Sequence, residues 1–227
     1  MNRVILSAST DETILAVTRQ HKLVDLEIEQ QINTEIVGCI YKGVVKNIVP
    51  AVDGIFVDIG IGKNAFLRRK DLLNEKRFPT EGSPILAQVI KSDTGMKGAL
   101  ITEKISMFGK YAVTLSGTGY IGVSKKIRQE SVRKRLKEIG KEICAEHMGL
   151  IIRTAAENAD MDEFRKDITR LKENWDIIQK RFRMEKSPTL LYRESDIIVK
   201  ALRDYVNKGT EILITDNRKI YERICKL

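Results

Sequence analysis

Between Ile36 and Ser106 the chain is written as short apolar runs, rich in Val and Ile, cut at close intervals by Gly, Pro, Asp and Asn. Runs of that length bounded by turn residues are strands, and a succession of them specifies a small antiparallel barrel. Tyr41 to Val49 reads as a strand, Pro50 to Gly54 as a turn, and Ile55 to Ile59 as the next strand. Gly60 to Asn64 is a glycine-rich turn and Ala65 to Leu67 a short third strand, with further strands near Ile85 to Ser92 and Ala99 to Ser106. Phe56 and Phe66 lie ten residues apart on strands expected to be neighbours, where each offers a flat face to a nucleic-acid base. Their other possible role is barrel core. Lys42, Lys46, Lys63, Arg68, Arg69 and Lys97 supply positive charge along the same stretch.

Charge narrows the partner. A formal net charge of +9 and a pI near 9.4 favour a polyanion. Between Ser124 and Lys141 there are eight Lys/Arg against two Glu, and Val132, Leu136, Ile139 and Ile143 recur there at helical spacing. The cations therefore share the opposite face, which is either simply solvated or an anion-binding surface. Cys39, Cys144 and Cys225 are widely separated and show no CxxC spacing, so they read as reduced thiols and not as a zinc site. The first residues lack a signal-peptide core, and no apolar run nears the roughly 18 residues of a membrane span. A soluble, cytoplasmic protein with no membrane partner is expected. His21 and His147 sit in no nucleophile motif, so no catalytic residues are assigned. Asp53 and Asp58 read as turn and edge residues, and no metal ligands are assigned either.

At the N-terminus, Arg3 to Ser7 and Thr13 to Thr18 read as strands. Leu23 to Glu29 forms a half-exposed third, with Leu23, Asp25 and Glu27 set against Val24, Leu26 and Ile28. A three-stranded meander needs its apolar face covered, and the barrel follows at once, so the cover must come from later in the chain. That argues for a discontinuous domain with the barrel inserted into it. Beyond the barrel, Tyr111 to Leu115 is a strand, and the helix from Ser131 ends at Met148-Gly149. Leu150 to Ile152 forms a buried strand whose Ile151-Ile152 pair anchors Arg153 and Thr154 in a loop. Asp160 caps the next helix, with Glu163 placed to complete a capping box, and Met161, Phe164, Ile168, Leu171, Trp175, Ile178 and Phe182 form a core stripe. Ser187-Pro188 breaks the pattern. A helix over Ser195–Val206, a strand over Glu211–Thr215 and a helix from Asn217 complete the sheet begun by residues 1–30.

Lys42-Gly43-Val44, Asp53 to Asp58 and Asn64 to Leu67 resemble the S1 domain, an RNA-binding OB fold. The opening meander, IVGCIYKGVV, PAVDGIFVDIG, TGMKGALIT, GVSKKI, MGLIIRTAAEN and LRDY together resemble the N-terminal half of the ribonuclease E/G family, closer to its G-type members. The resemblance implies an α+β chain: an RNase-H-like mixed sheet with helices, interrupted by an inserted S1 (OB-fold) β-barrel and a 5′-sensor subdomain. The implied bounds are 1–35 and an incomplete 191–227 for the RNase-H-like part, 36–107 for S1 and 108–190 for the sensor. It implies RNA contacts at Phe56, Phe66, Lys97, Lys125 and Lys126, and a 5′-monophosphate pocket at Arg153, Thr154 and backbone near Val113. Asn158, where relatives carry Gly, is a residue type that tolerates left-handed backbone. The implied function is the RNA-binding, 5′-monophosphate-sensing half of a single-strand-specific endoribonuclease. The alternative is a complete non-catalytic S1-type RNA-binding protein. Catalytic aspartates holding Mg²⁺, a structural zinc link and any homo-oligomer are implied for the full-length enzyme only, with no cofactor in this chain.

Overall fold

An antiparallel meander opens the computed structural model, which describes residues 2–30, 36–76, 78–93, 97–144, 148–193, 196–206, 210 and 212–226. His147, Ser195, Glu211 and Leu227, on which parts of the sequence reading fall, lie outside the described residues. Strands β1 (Asn2–Ala8), β2 (Glu12–Arg19) and β3 (Lys22–Gln30) pair in order. Val4 and Leu6 bury one face of β1, opposite Val17 and Leu15 of β2. On β3 the same face carries Asp25 and Glu27, paired with Val17 and Leu15. Val24, Leu26 and Ile28 are consequently more than half exposed, the reverse of an apolar-inward edge strand. Tyr205 explains part of the inversion, because its hydroxyl donates to Asp25, and burial together with that carboxylate pushes the phenol pKa up.

The barrel is built from β4 (Ile40–Val49), β5 (Gly54–Asp58), β6 (Ala65–Arg68), β7 (Pro84–Lys91) and β8 (Leu100–Thr102). The ring runs β4-β5-β6-β8-β7 and closes by antiparallel pairing of β4 with β7, which removes the sheet edges. Ile55, Val57, Leu67, Ala87 and Ile101 fill its interior. The strand expected over Ala99–Ser106 is in fact two. β8 ends at Thr102, and β9 (Ser106–Phe108) joins a different sheet. Buried Gln88 fixes the exit: its amide nitrogen donates to the carbonyls of Gly38 (2.9 Å) and Ser106 (2.8 Å), and its oxygen accepts the Ser106 N–H. A fully satisfied buried amide holds one geometry, because any shift strands a polar group.

The next sheet, in the order β11-β12-β10-β9, adds β10 (Ala112–Ser116), β11 (Ile121–Val123) and β12 (Met148–Ile152). Met148 and Gly149 thus begin a strand and do not end the preceding helix, α1 (Glu130–Ile143). α1 and α2 (Met161–Met184) pack on this sheet, with Leu136, Ile139, Phe164, Ile168, Leu171 and Ile178 in one core. Asp160 caps α2, accepting the N–H groups of Asp162 (2.9 Å) and Glu163 (3.2 Å). Glu163 does not close the expected capping box, because its carboxylate takes the Tyr111 hydroxyl at 2.6 Å. β13 (Thr189–Tyr192), absent from the sequence reading, pairs with Ile40 to Lys42 on the edge of β4 that β5 occupies further along. Barrel, sheet and both helices form one compact unit, Ile36–Glu194.

The other unit, Met1–Glu35 with Ser195–Leu227, is completed by α3 (Ile197–Asp204), β14 (Ile212–Thr215) and α4 (Arg218–Ile224). β14 runs parallel to β1, giving a mixed sheet in the order β14-β1-β2-β3. Ile197, Ile198 and Ala201 of α3 and Ile220 of α4 cover Val4, Leu6, Leu15 and Val17. The meander's cover does come from the far end of the chain. Among the described residues no helix is long and apolar enough to cross a membrane. Replacing Asp160 with Ala leaves two first-turn N–H groups of α2 without their acceptor and is expected to cost about 1 kcal/mol. A lower urea midpoint with an unchanged m-value checks this; an unchanged midpoint contradicts it.

Candidate nucleic-acid interface

Adjacent strands bring the two barrel phenylalanines together. Phe56 of β5 and Phe66 of β6 are directly opposed in the ladder. Their ring centroids are 5.4 Å apart with the planes tilted by 52°, and both rings are half-buried. A Cβ on Gly54 would come within 2.3 Å of the Phe66 ring, so only glycine lets that ring lie along the strand. The Phe66 N–H donates to the Ala99 carbonyl at 2.7 Å, and exposed Lys97 lies two residues before it on the chain entering β8. A half-buried aromatic pair of this kind suits a stacked base.

The remaining barrel cations differ in role. Lys42 does not face a groove: its ammonium donates to the carbonyls of Phe182 (2.6 Å) and Glu185 (2.7 Å), closing the C-terminus of α2. A cation there complements the helix dipole. Lys46 pairs with Asp58 at 3.4 Å and Lys63 with Asp93 at 2.9 Å. Arg68 pairs with Asp71, and Arg69 pairs with Asp53 while lying 3.8 Å from the centre of the Phe78 ring. Exposed pairs of this kind contribute little to stability, so exchanging the carboxylate for a phosphate costs little. Asp53 and Asp58 sit at opposite ends of β5, one in a left-handed turn and the other accepting the Gly60 N–H. Among the described residues no three His, Cys, Asp or Glu side chains converge as metal ligands.

A second cluster forms where β11 and β12 end side by side. The strands are parallel, with Val123 opposite Ile152, so Ser124 and Arg153 leave the sheet together. Ser124 Oγ and Thr154 Oγ1 are 3.0 Å apart and hydrogen-bonded. The Ser124 N–H donates to Ile152 O at 2.8 Å, and Ser124 Oγ accepts the Lys126 N–H at 3.3 Å. Arg133 of α1 fixes this turn from below, donating to the carbonyls of Ser124 (2.8 Å) and Ile127 (3.0 Å). Lys125 and Lys126 are exposed at its tip. Ile152 is fully buried, as expected of an anchor, whereas Ile151 is 39% exposed.

The Arg153 guanidinium donates to Gly109 O at 2.8 Å, and its backbone N–H donates to Tyr111 O at 2.7 Å. That loop is held in turn by α2, whose Asp167 carboxylate accepts the N–H groups of Lys110 (3.2 Å) and Tyr111 (2.8 Å). A Cβ on Gly109 would lie 2.5 Å from the Asp167 carboxylate, so this close approach requires glycine. Val113 lies two residues further along, opposite Ile151 within the ladder. Asn158 does not use a left-handed backbone; among the described residues the non-glycine positions that do are Gln20, His21 and Asp53. Ser124, Gly109, Asp167 and Arg133 were not singled out by sequence. The parallel β11–β12 pairing that unites Ser124 with Thr154 leaves no trace in periodicity. Replacing Asp167 with Ala leaves two backbone donors without their acceptor, at a cost of about 1–3 kcal/mol. Hydrogen exchange at Lys110 and Tyr111 is expected to quicken about tenfold or more with barrel amides unchanged; unaltered protection there would contradict the assignment.

Comparison with known proteins points the same way. Residues 106–227 match the model of the Ribonuclease E/G family. Ribonuclease G of Escherichia coli strain K12 is 32% identical over 97% of this chain, and Ribonuclease G of Haemophilus influenzae 31% identical over the same share. Ribonuclease E of Buchnera aphidicola subsp. Schizaphis graminum is 31% identical over 98% of it. The chain spans about half the length of the ribonuclease G proteins (49% and 48%) and 25% of that ribonuclease E. A family match covering more than half the residues, on an α+β chain with an OB-like barrel, places this protein in the ribonuclease E/G family.

Proposed function

We propose that this chain is the RNA-holding, 5′-end-reading part of a single-strand-specific endoribonuclease of RNA processing and decay. Residues 36–107 act as its S1 domain, 108–190 as its 5′ sensor, and 1–35 with 191–227 as its RNase-H-like part. The observation that carries this reading is the parallel ending of β11 and β12, which sets Arg153 and Thr154 beside Ser124, Lys125 and Lys126. A 5′-monophosphate carries close to two negative charges and three terminal acceptor oxygens. An arginine fork, two hydroxyls and two lysines are the donors such a group takes. The Gly109 carbonyl orients the guanidinium in advance, and the backbone near Val113 belongs to the strand behind it. The barrel then holds the single strand further along, stacking bases on Phe56 and Phe66 with Lys97 against the phosphates.

Two outcomes test this. Hydrogen bonds to a charged group contribute about 1.5–3 kcal/mol, so an oligonucleotide with a 5′-monophosphate is expected to bind roughly 10- to 100-fold tighter than its 5′-hydroxyl counterpart. A bulkier 5′-triphosphate is expected to fare no better than the hydroxyl. Arg153→Ala should flatten the ranking; because Arg153 also braces Gly109, the ratio between ends is the readout, not the affinity itself. Equal binding of all three ends by the unsubstituted protein would sink the 5′-sensor reading. In the barrel, Phe56→Ala and Phe66→Ala should each weaken single-stranded RNA binding by about 1–3 kcal/mol while the chain stays folded. Folded variants that bind as before would put the stacking surface elsewhere.

A further inference from the structure

Outside these two clusters, a cleft of about 750 Å³ opens between α2 and the barrel side of the same unit. Its apolar wall is made by Leu73, Leu86, Trp175 and Met184, of which Leu73 is 51% and Met184 74% exposed. Lys172, Lys180 and Arg183 line it from α2. On a helix these positions recur on one side, and the first and last of the two lysines are about 12 Å apart along the axis at 1.5 Å per residue. Trp175 stands at the border between this side and the buried stripe, packing on the core while lining the cleft. Of the other α2 cations, Arg165 pairs with Glu142 at 3.0 Å and Arg181 with Glu185, whereas Lys166 and Arg170 are exposed and form no ion pair among the described residues. Lys172, Lys180 and Arg183 have no carboxylate within ion-pair distance among the described residues. Two carboxylates do line the cleft: Glu103, which accepts the Leu73 N–H at 3.0 Å, and exposed Asp176.

We infer that this cleft is a further RNA subsite, seating one unpaired base against Trp175 with the flanking phosphates on Lys172, Lys180 and Arg183. The inference rests on the RNA-binding reading above but on neither of its two clusters. Cations without carboxylate partners along the cleft favour a polyanion. A flat aromatic among Leu and Met side chains gives a base its stacking face irrespective of sequence. The volume falls within the ~300–1,000 Å³ usual for pockets that enclose a small ligand, which suits one nucleotide and not a duplex.

Trp175 is the chain's sole tryptophan, so its fluorescence reports on this site. The probe is a single-stranded oligonucleotide with a 5′-hydroxyl, which does not engage a phosphate sensor, and a 3′ fluorophore whose anisotropy gives occupancy independently. At saturation Trp175 emission is expected to fall by roughly half, as stacking of a base on the ring would cause. Polyphosphate and polyglutamate, which bring charge without bases, are expected to leave the emission near its starting value. Combined Lys180→Ala and Arg183→Ala, at exposed positions, is expected to weaken binding by roughly three- to tenfold at low salt and to reduce the quench. Saturation by anisotropy with unchanged Trp175 emission overturns the subsite and leaves RNA binding standing. No anisotropy change at all overturns both. Equal quenching by the base-free polyanions, or a double variant that behaves like the unsubstituted chain, also overturns it.

Discussion

Burial of the apolar stripe of α2 is the constraint on which the larger unit depends. Phe164, Ile168, Leu171 and Ile178 are almost fully removed from solvent against the β11-β12-β10-β9 sheet. Truncating one such side chain, Phe164 above all, removes about 3–5 kcal/mol, a large fraction of what a domain has to spare. Once the stripe is seated, both ends of the helix are in place for other work. At the N-terminal end Glu163 and Asp167 reach the Gly109–Tyr111 loop. At the C-terminal end the carbonyls of Phe182 and Glu185 receive Lys42 from the barrel. A single packing decision thus sets the loop behind Arg153 and joins the helix to β4.

Charge is distributed accordingly. Among the cations that hold structure are ones with carbonyl partners, such as Lys42 on α2, Arg133 on the Ser124–Ile127 turn and Arg181 on β13. Arg153 shares that character through Gly109 while standing at the sheet end. Lys97, Lys125 and Lys126 are exposed, and the barrel's Lys46 and Lys63 sit in surface pairs that exchange readily. The net charge of +9 therefore resolves into an inner set that positions and an outer set that attracts. Only the outer set is expected to make binding fall as salt rises.

Much of this was legible in the residues. The barrel could be read because each strand is short, rich in β-branched side chains and closed by Gly, Pro or Asp, and the α2 stripe because steps of three and four persist from Met161 to Phe182. The opposition of Phe56 and Phe66 followed from a tight turn between consecutive strands. Three things were hidden, each for a physical reason. The alternation of β3 has two readings, and the long-range partner Tyr205, with its hydroxyl on Asp25, decided against the apolar-inward one. Glu163 satisfies the local capping rule but finds a stronger partner in a buried tyrosine far along the chain. The meeting of Ser124 with Thr154 depends on a parallel pairing across the whole of α1, which no local pattern encodes. Spacing predicts contacts within an element well and contacts between elements poorly.

The central claim is that single-stranded RNA lies across β5 and β6 of the barrel. Photocrosslinking with an oligonucleotide carrying 4-thiouridine at successive positions, followed by mass spectrometric mapping of adducts, tests it most directly. The account predicts adducts at Phe56 and Phe66, lost when excess unlabelled single-stranded RNA is added and retained when duplex is added instead. Adducts confined to other surfaces, with β5 and β6 unmarked at saturating RNA, would contradict it.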